Sequence, residues 1–132
     1  MNSVQSENPE PYNAAKLPTV ILSHGKESSP TGNKIVALAE VAQKHGYKTV
    51  IPDYRGMNYP DHRVEVLLEV ATELQGSFIL VGSSMGAYVS LVASRKIQIA
   101  GLFLMAPALG LLGYRALKCA CLLTWYSLVQ HL

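Results

Sequence analysis

The sequence contains no Asp or Glu after Glu73, although the chain runs to 132 residues. Charged residues of either sign make up only 15% of the chain, and its formal net charge is +2. Proteins that bind nucleic acid concentrate Lys and Arg in patches or stripes, and this sequence has no such cluster. We therefore expect no nucleic-acid partner.

Long hydrophobic segments and an export signal are also missing. The longest apolar run, near residues 101–113, falls short of the ~20 residues that cross a bilayer. Residues 1–16 are polar and lack the apolar centre of a signal peptide, so we expect a flexible N-terminal tail. The two cysteines, Cys119 and Cys121, fit no zinc or redox motif. These absences favour a cytoplasmic protein with reduced thiols, no membrane span and no metal.

What the chain does contain is a regular alternation of apolar strands and helical segments. Apolar runs predict buried strands near residues 18–23, 47–52, 77–81 and 99–105. Helical periodicity predicts a helix from an N-cap at Ser29 to a stop at Gly46, a second from about Pro60 to Gly76, and a third from the turn after the third strand to about Arg95. This order predicts an α/β fold: a parallel sheet with helices on both faces, forming one domain over residues 17–132.

Ser84 follows the third predicted strand and precedes the third predicted helix. Gly82 and Gly86 lie two residues away on either side, which is the Gly-x-Ser-x-Gly pattern of a nucleophile elbow. Strand and helix diverge from one tight turn there, so side chains at the two flanking positions would clash with neighbouring backbone. Ser83 lacks this pair of glycines. The pattern therefore indicates Ser84 as a nucleophile.

From Leu17 to about Leu109 the chain resembles the first half of an α/β-hydrolase of the small, lidless esterase-like type. The resemblance depends on a strand ending in His24-Gly25, a strand ending in Pro-Asp-Tyr-Arg-Gly at residues 52–56, and the elbow around Ser84. A weaker match is the strand that ends in Met-Ala-Pro-Ala at residues 105–108.

The resemblance implies a serine hydrolase that acts on a small ester or thioester. Ser84 would be the nucleophile, and the backbone N–H groups of Met85 and Lys26 would form the oxyanion hole. Two such donors are typically each worth ~3 kcal/mol of barrier. The family resemblance implies no organic cofactor and no metal.

The sequence departs from the family downstream of the serine. The family's catalytic acid and histidine follow the serine in chain order, whereas here no acid follows Ser84 and the one later histidine is His131. One hypothesis takes His131 as the base. Another is that the chain is a truncated or frame-shifted hydrolase whose native sequence stops near Leu109, with residues 109–132 as an atypical apolar tail. The alternative function is an inactive remnant that acts as a binding module, with self-association through an open sheet edge.

Two upstream residues are weaker candidates for catalysis. His24 could serve as a base, but its place on the oxyanion side of the fold favours a structural role. Asp53 could be a displaced catalytic acid, but hydrogen bonds that shape the loop before Gly56 are the favoured interpretation. Asp61 is predicted to cap the second helix.

Overall fold

A computed structural model describes residues 17–108 of the chain. The strands are β1 (Thr19–Ser23), β2 (Thr49–Val50), β3 (Phe78–Ser83) and β4 (Gly101–Met105), and the helices are α1 (Asn33–Lys44), α2 (Pro60–Thr72) and α3 (Met85–Ser94). All strand pairs are parallel, in the order β2-β1-β3-β4. The predicted parallel α/β sheet is confirmed, whereas the predicted tails at residues 1–16 and 109–132 lie outside the described residues.

The helices cover both faces of the sheet because neighbouring residues of each strand point in opposite directions. Ile21 of β1 and Leu80 of β3 are fully buried in the cluster that α2 and α3 form with the sheet. Val20, Leu22 and Val81 belong to a second cluster, formed with α1. The short runs of apolar residues in β1 and β3 therefore mark strands buried on both sides, as expected for a parallel sheet.

The predicted start of α1 at Ser29 is wrong. The Oγ of Ser29 accepts a hydrogen bond from the N–H of Thr31 (3.2 Å), and its carbonyl accepts one from the N–H of Gly32 (3.0 Å). These bonds close a turn, so the helix begins only at Asn33, after Gly32 in an extended conformation. The predicted stop is confirmed: Gly46 follows the helix with φ 90°, a conformation that glycine adopts without steric cost.

The helix α2 begins at Pro60, as predicted, but Asp61 does not cap it. Tyr59 occupies the N-cap position without a side-chain hydrogen bond, and Asp61 lies in the first turn. There its Oδ1 accepts a hydrogen bond from the hydroxyl of Tyr88 (3.4 Å), which links α2 to α3. A carboxylate in the first turn also interacts favourably with the helix dipole.

The α1 side of the sheet is less completely covered near β4. Phe103 points to this side and is 50% exposed, and Val41 of α1 is 56% exposed. An apolar groove of about 330 Å³ lies between them, with Leu22 and Val81 in its floor. The predicted self-association through an open sheet edge stays a prediction.

Candidate active site

Ser84 is the exposed residue in a buried segment, with Ser83 and Met85 buried on either side. Its backbone has φ 57° and ψ −118°, outside the regions that L-residues other than glycine usually adopt. The strand β3 ends one residue before it, and α3 begins one residue after it. This sharp turn is the geometry expected of a nucleophile elbow.

Gly82 and Gly86 allow the elbow to form because neighbouring backbone occupies the space that a side chain would need. A Cβ on Gly82 would overlap the carbonyl of Gly86 and lie 2.7 Å from the Cα of Ala87. A Cβ on Gly86 would overlap the carbonyl of Ser23 and lie 2.8 Å from the carbonyl oxygen of His24. Because Gly86 has no side chain, the start of α3 can lie directly against the end of β1.

The end of β4 holds the main chain of Ser84 on both sides. The N–H of Ser84 donates to the carbonyl of Met105 (2.9 Å), and the carbonyl of Ser84 accepts from the N–H of Ala108 (3.1 Å). The same carbonyl accepts from Ala87 in the first turn of α3 (2.9 Å). Ala106, between the two β4 contacts, also has a positive φ of 45°. Strained conformations persist where the surroundings fix them in this way.

The loop after β1 lies directly beside Ser84. A Cβ built on Gly25 would be 3.6 Å from the Cβ of Ser84, and the two residues share a cleft of about 460 Å³. The cleft is lined by residues of this loop, of the start of α1 and of the elbow: Gly25, Lys26, Glu27, Ser28, Asn33, Lys34, Ile35, Ser83 and Ser84. Its lining therefore includes two lysines and one glutamate.

The backbone N–H groups of Lys26 and Met85 are the predicted oxyanion donors. Within residues 17–108, neither the N–H of Lys26 nor that of Met85 donates a hydrogen bond to another protein group. Met85 is the first residue of α3, where backbone N–H groups have no partner in the helix and the helix dipole is positive. Lys26 lines the cleft beside Ser84. Lys26 and Ser84 thus line one cleft and Met85 directly follows Ser84, whereas their roles as oxyanion donors and nucleophile stay predictions.

His24 is fully buried and both of its ring nitrogens are in use. Its Nε2 accepts a hydrogen bond from the backbone N–H of Tyr54 (2.9 Å), so its Nδ1 carries the proton and donates to the carbonyl of Gly25 (2.8 Å). Burial lowers the pKa of His24 below its ordinary value of 6.5 and favours this neutral form. The arrangement supports the structural role that the sequence favoured for His24.

Asp53 shapes its own loop. Its side chain is exposed, and its carboxylate accepts hydrogen bonds from the backbone N–H of Arg55 (3.0 Å) and from the Nη2 of the same residue (2.6 Å). The Arg55 guanidinium lowers the pKa of Asp53 to about 2. These bonds favour the loop-shaping interpretation over a displaced catalytic acid.

Arg63 is a part of the site that the sequence did not reveal. Its side chain is fully buried, and its Nη1 donates to the carbonyls of His24 (3.0 Å) and Gly25 (3.3 Å). Its guanidinium carbon also lies 5.2 Å from the ring centroid of Tyr54. Helical spacing was the one sequence feature that places Arg63 on the inner face of α2, together with Val64 and Leu67, which are buried.

Tyr54 packs beside His24 and Ser23, at the start of the loop after β1. It is fully buried, its hydroxyl is 2.8 Å from the Oγ of Ser23, and its ring centroid lies 5.2 Å from that of His24. Burial raises the pKa of Tyr54 to about 12, so the phenol stays protonated and keeps this hydrogen bond.

The described residues contain neither a metal cluster nor a membrane-spanning helix. No group of three His, Cys, Asp or Glu side chains in residues 17–108 could hold a metal ion. Among the same residues, every helix is too short or too polar to cross a bilayer. His131, the predicted base, lies outside this part of the chain.

The solved structures that are similar to the chain include two hydrolases. A candidate hydrolase of the alpha/beta superfamily from Xanthomonas campestris pv. campestris is 34% identical, with a TM-score of 0.71. The alpha/beta hydrolase domain-containing protein 10 from mouse is 26% identical, with a TM-score of 0.62. The matches cover 79% and 88% of this chain, but only 66% and 51% of the two relatives. The chain therefore spans only part of the length of each of these hydrolases.

Family models give a match over most of the described residues. No curated protein shows significant sequence similarity to the chain. The model of an uncharacterised protein family, UPF0227, matches residues 19–116, which include every strand and helix described above. The chain therefore belongs to the uncharacterised protein family UPF0227, with the fold of the α/β-hydrolase superfamily.

Proposed function

We propose that the protein is a serine hydrolase that acts on small esters or thioesters, with Ser84 as its nucleophile. The observation that carries the proposal is the exposure of Ser84 at a strained turn, next to two backbone N–H groups without protein partners in residues 17–108. An exposed serine in an otherwise buried strand–helix junction contributes little to packing. The surrounding backbone instead holds it towards a cleft.

The chemistry is acyl transfer. The Oγ of Ser84 attacks the carbonyl carbon of the substrate, and the carbonyl electron pair moves to the oxygen, which becomes an oxyanion. The N–H groups of Lys26 and Met85 donate hydrogen bonds to that oxygen. The intermediate then collapses: the bond to the alcohol or thiol breaks, the base returns the serine proton to that leaving group, and an acyl group stays on Ser84. Water then attacks this acyl group and releases it as a carboxylic acid, which restores the Ser84 hydroxyl.

The attack also requires a base that takes the serine proton. Between Ser84 and the end of the described residues there is neither histidine nor carboxylate. His131, which follows Ser84 in the sequence, is one hypothesis for this role, and a truncated or frame-shifted hydrolase that lacks the base is the other. Removal of triad members can leave a residual catalysis of ~10³ to 10⁴ over water, through the oxyanion hole and binding alone.

The test is labelling with a fluorophosphonate probe, which forms a covalent bond to a reactive serine. We expect the full chain to be labelled on Ser84, and the Ser84→Ala variant to lose all labelling. Ser83→Ala is the matched control, because it removes the neighbouring hydroxyl from the buried end of β3 and should keep the labelling.

Two results would contradict the proposal. One is labelling that persists in Ser84→Ala, which would place the reactive group elsewhere. The other is a folded wild-type protein, shown by circular dichroism, that does not react at all. That second result would support the inactive binding module as the function of this chain.

A further inference from the structure

We infer that Arg63 is a positioning residue that sets the oxyanion hole by fixing the direction of the backbone in the loop after β1. The inference rests on the proposed function, since it explains how one of the two oxyanion donors is oriented. Arg63 lies on α2, far along the chain from the loop, and does not line the cleft. Its role would therefore be exerted through the loop and not through contact with substrate.

The guanidinium of Arg63 binds consecutive carbonyl groups of the loop. Its Nη1 donates to His24 (3.0 Å) and Gly25 (3.3 Å), and its Nη2 approaches the carbonyl of Lys26 (3.4 Å). Its Nε donates to the carbonyl of Met57 (2.9 Å), which fixes the plane of the group. A planar guanidinium has five N–H donors in a rigid fork, so it can hold several carbonyls in one arrangement.

The carbonyl directions determine where the loop amides point. The peptide bonds of residues 17–108 are all trans, and in a trans peptide the C=O and the following N–H point in opposite directions. Because the carbonyl of Gly25 points towards Arg63, the N–H of Lys26 points away from Arg63. The carbonyl of Lys26 points the same way, so the N–H of Glu27 also faces away from the guanidinium. Successive N–H groups on one side of a loop form a concavity that binds anions.

Further groups act together with Arg63. The Nδ1–H of His24 (2.8 Å) and the backbone N–H of Ser28 (3.3 Å) donate to the same Gly25 carbonyl, so three donors fix that peptide plane. The ring of Tyr54 lies beside the Arg63 guanidinium at 5.2 Å, a cation–π contact that favours a buried cation. A carbonyl that accepts charge-assisted hydrogen bonds also polarises its peptide group, which makes the Lys26 N–H a stronger donor.

A purely structural role for Arg63 predicts a different experimental result from a positioning role. Loss of structure would lower the fraction of protein that can react, and the folded fraction would react at its normal rate. Loss of donor orientation would lower the rate constant of the folded fraction and leave probe binding intact. The relevant measurement is therefore the labelling rate as a function of fluorophosphonate concentration, which separates the maximal rate from the probe's half-saturating concentration.

The experiment compares full-length wild-type protein with Arg63→Met, Arg63→Lys and the control Arg95→Met, which changes an exposed arginine at the end of α3. We expect Arg63→Met to lower the maximal labelling rate by about 30-fold or more, since loss of an oxyanion donor costs ~10²- to 10³-fold. Arg63→Lys should recover only part of that rate, because its ammonium is also a cationic donor but reaches fewer carbonyls than the guanidinium. The half-saturating concentration should stay within about twofold, and Arg95→Met should react like wild type.

The results distinguish this inference from the proposed function. Wild-type labelling on Ser84, together with an unchanged maximal rate in folded Arg63→Met, would overturn the role of Arg63 alone. Wild-type protein without labelling on Ser84 would overturn both. If Arg63→Met does not fold, Arg63→Lys decides: a wild-type maximal rate in that variant would overturn the inference, and a reduced rate with unchanged half-saturation would support it.

Discussion

The cleft is bordered by two loops that keep their shape in different ways. The elbow after β3 is fixed by backbone: the Ser84 main chain bonds to the end of β4, and Gly82 and Gly86 touch neighbouring main chain. The loop after β1 has one turn bond of its own, from the N–H of Ser28 to the carbonyl of Gly25 (3.3 Å), and is otherwise bound by side chains, chiefly Arg63 of α2. The nucleophile is thus held by main-chain hydrogen bonds and close backbone packing, and the opposite donor mainly by side-chain hydrogen bonds. The two sides of the site should therefore respond to different perturbations.

The largest loss of stability is expected from Gly86→Ala, which adds a methyl group to the tightly packed backbone of the elbow. A methyl group there would overlap the carbonyl of Ser23, and main chain on both sides leaves it no room. We expect a loss of about 3 kcal/mol in the free energy of unfolding, at the upper end for overpacking a core. Urea denaturation measures it.

Gly101→Ala is the matched control for that substitution. A Cβ at Gly101 would meet Ile79 at 3.6 Å, an ordinary van der Waals distance. Its free energy of unfolding should therefore stay within about 1 kcal/mol of the wild type. Equal losses in the two variants would show that the elbow glycine has no special steric role.

Lowering the pH should reduce stability by a smaller amount, through protonation of His24 in the loop after β1. Burial lowers the pKa of His24 in the folded protein below the 6.5 of the unfolded chain. The stability linked to His24 is therefore fully present above pH 6.5 and is lost as the pH falls below that value towards the folded pKa. An NMR titration of the His24 ring should give a midpoint below 6.5, with a decline in the urea midpoint over the same range. A His24 midpoint above 6.5 would contradict the assigned neutral form.

The smallest effect is expected from Asp53→Asn, near the same loop but outside its hydrogen-bond network. Asp53 is exposed and its bonds go to Arg55, while the oxyanion loop is bound by Arg63. We expect the rate of fluorophosphonate labelling to stay within about twofold of the wild type. A loss of labelling comparable to that of Ser84→Ala would instead support Asp53 as a displaced catalytic acid.

The elbow could be predicted from sequence because its causes are local. A serine with positive φ and two glycines in contact with main chain leave a short, readable pattern at residues 82–86. The strands were equally readable, since short apolar runs mark parallel strands that are buried on both faces. The start of α1 was not, because Ser29-Pro30 suits both a helix start and the turn that the structure contains.

The role of Arg63 could not be predicted from the sequence. Arginine side chains are usually exposed, and even next to apolar residues they commonly extend their charged end to solvent, so spacing on α2 alone does not indicate a fully buried guanidinium. Its acceptors are main-chain carbonyls, which every residue has and which leave no trace in the sequence. Only the packing of α2 beneath the loop shows that His24 and Gly25 provide them.

Because Ser84 is hydrogen-bonded to the end of β4, the elbow cannot keep its conformation when it is separated from that strand. Met105, the last residue of β4, supplies the acceptor for the serine main chain, and Ala108, in the segment that follows β4, supplies the donor. A chain divided between α3 and β4 would carry the serine on one fragment and the groups that hold it on the other. The reactive conformation would then form only when both fragments pair side by side. Transplanting the Gly-x-Ser-x-Gly segment into a different sheet transfers the serine without its holder, so a designed nucleophile of this kind must include the adjoining strand end as well.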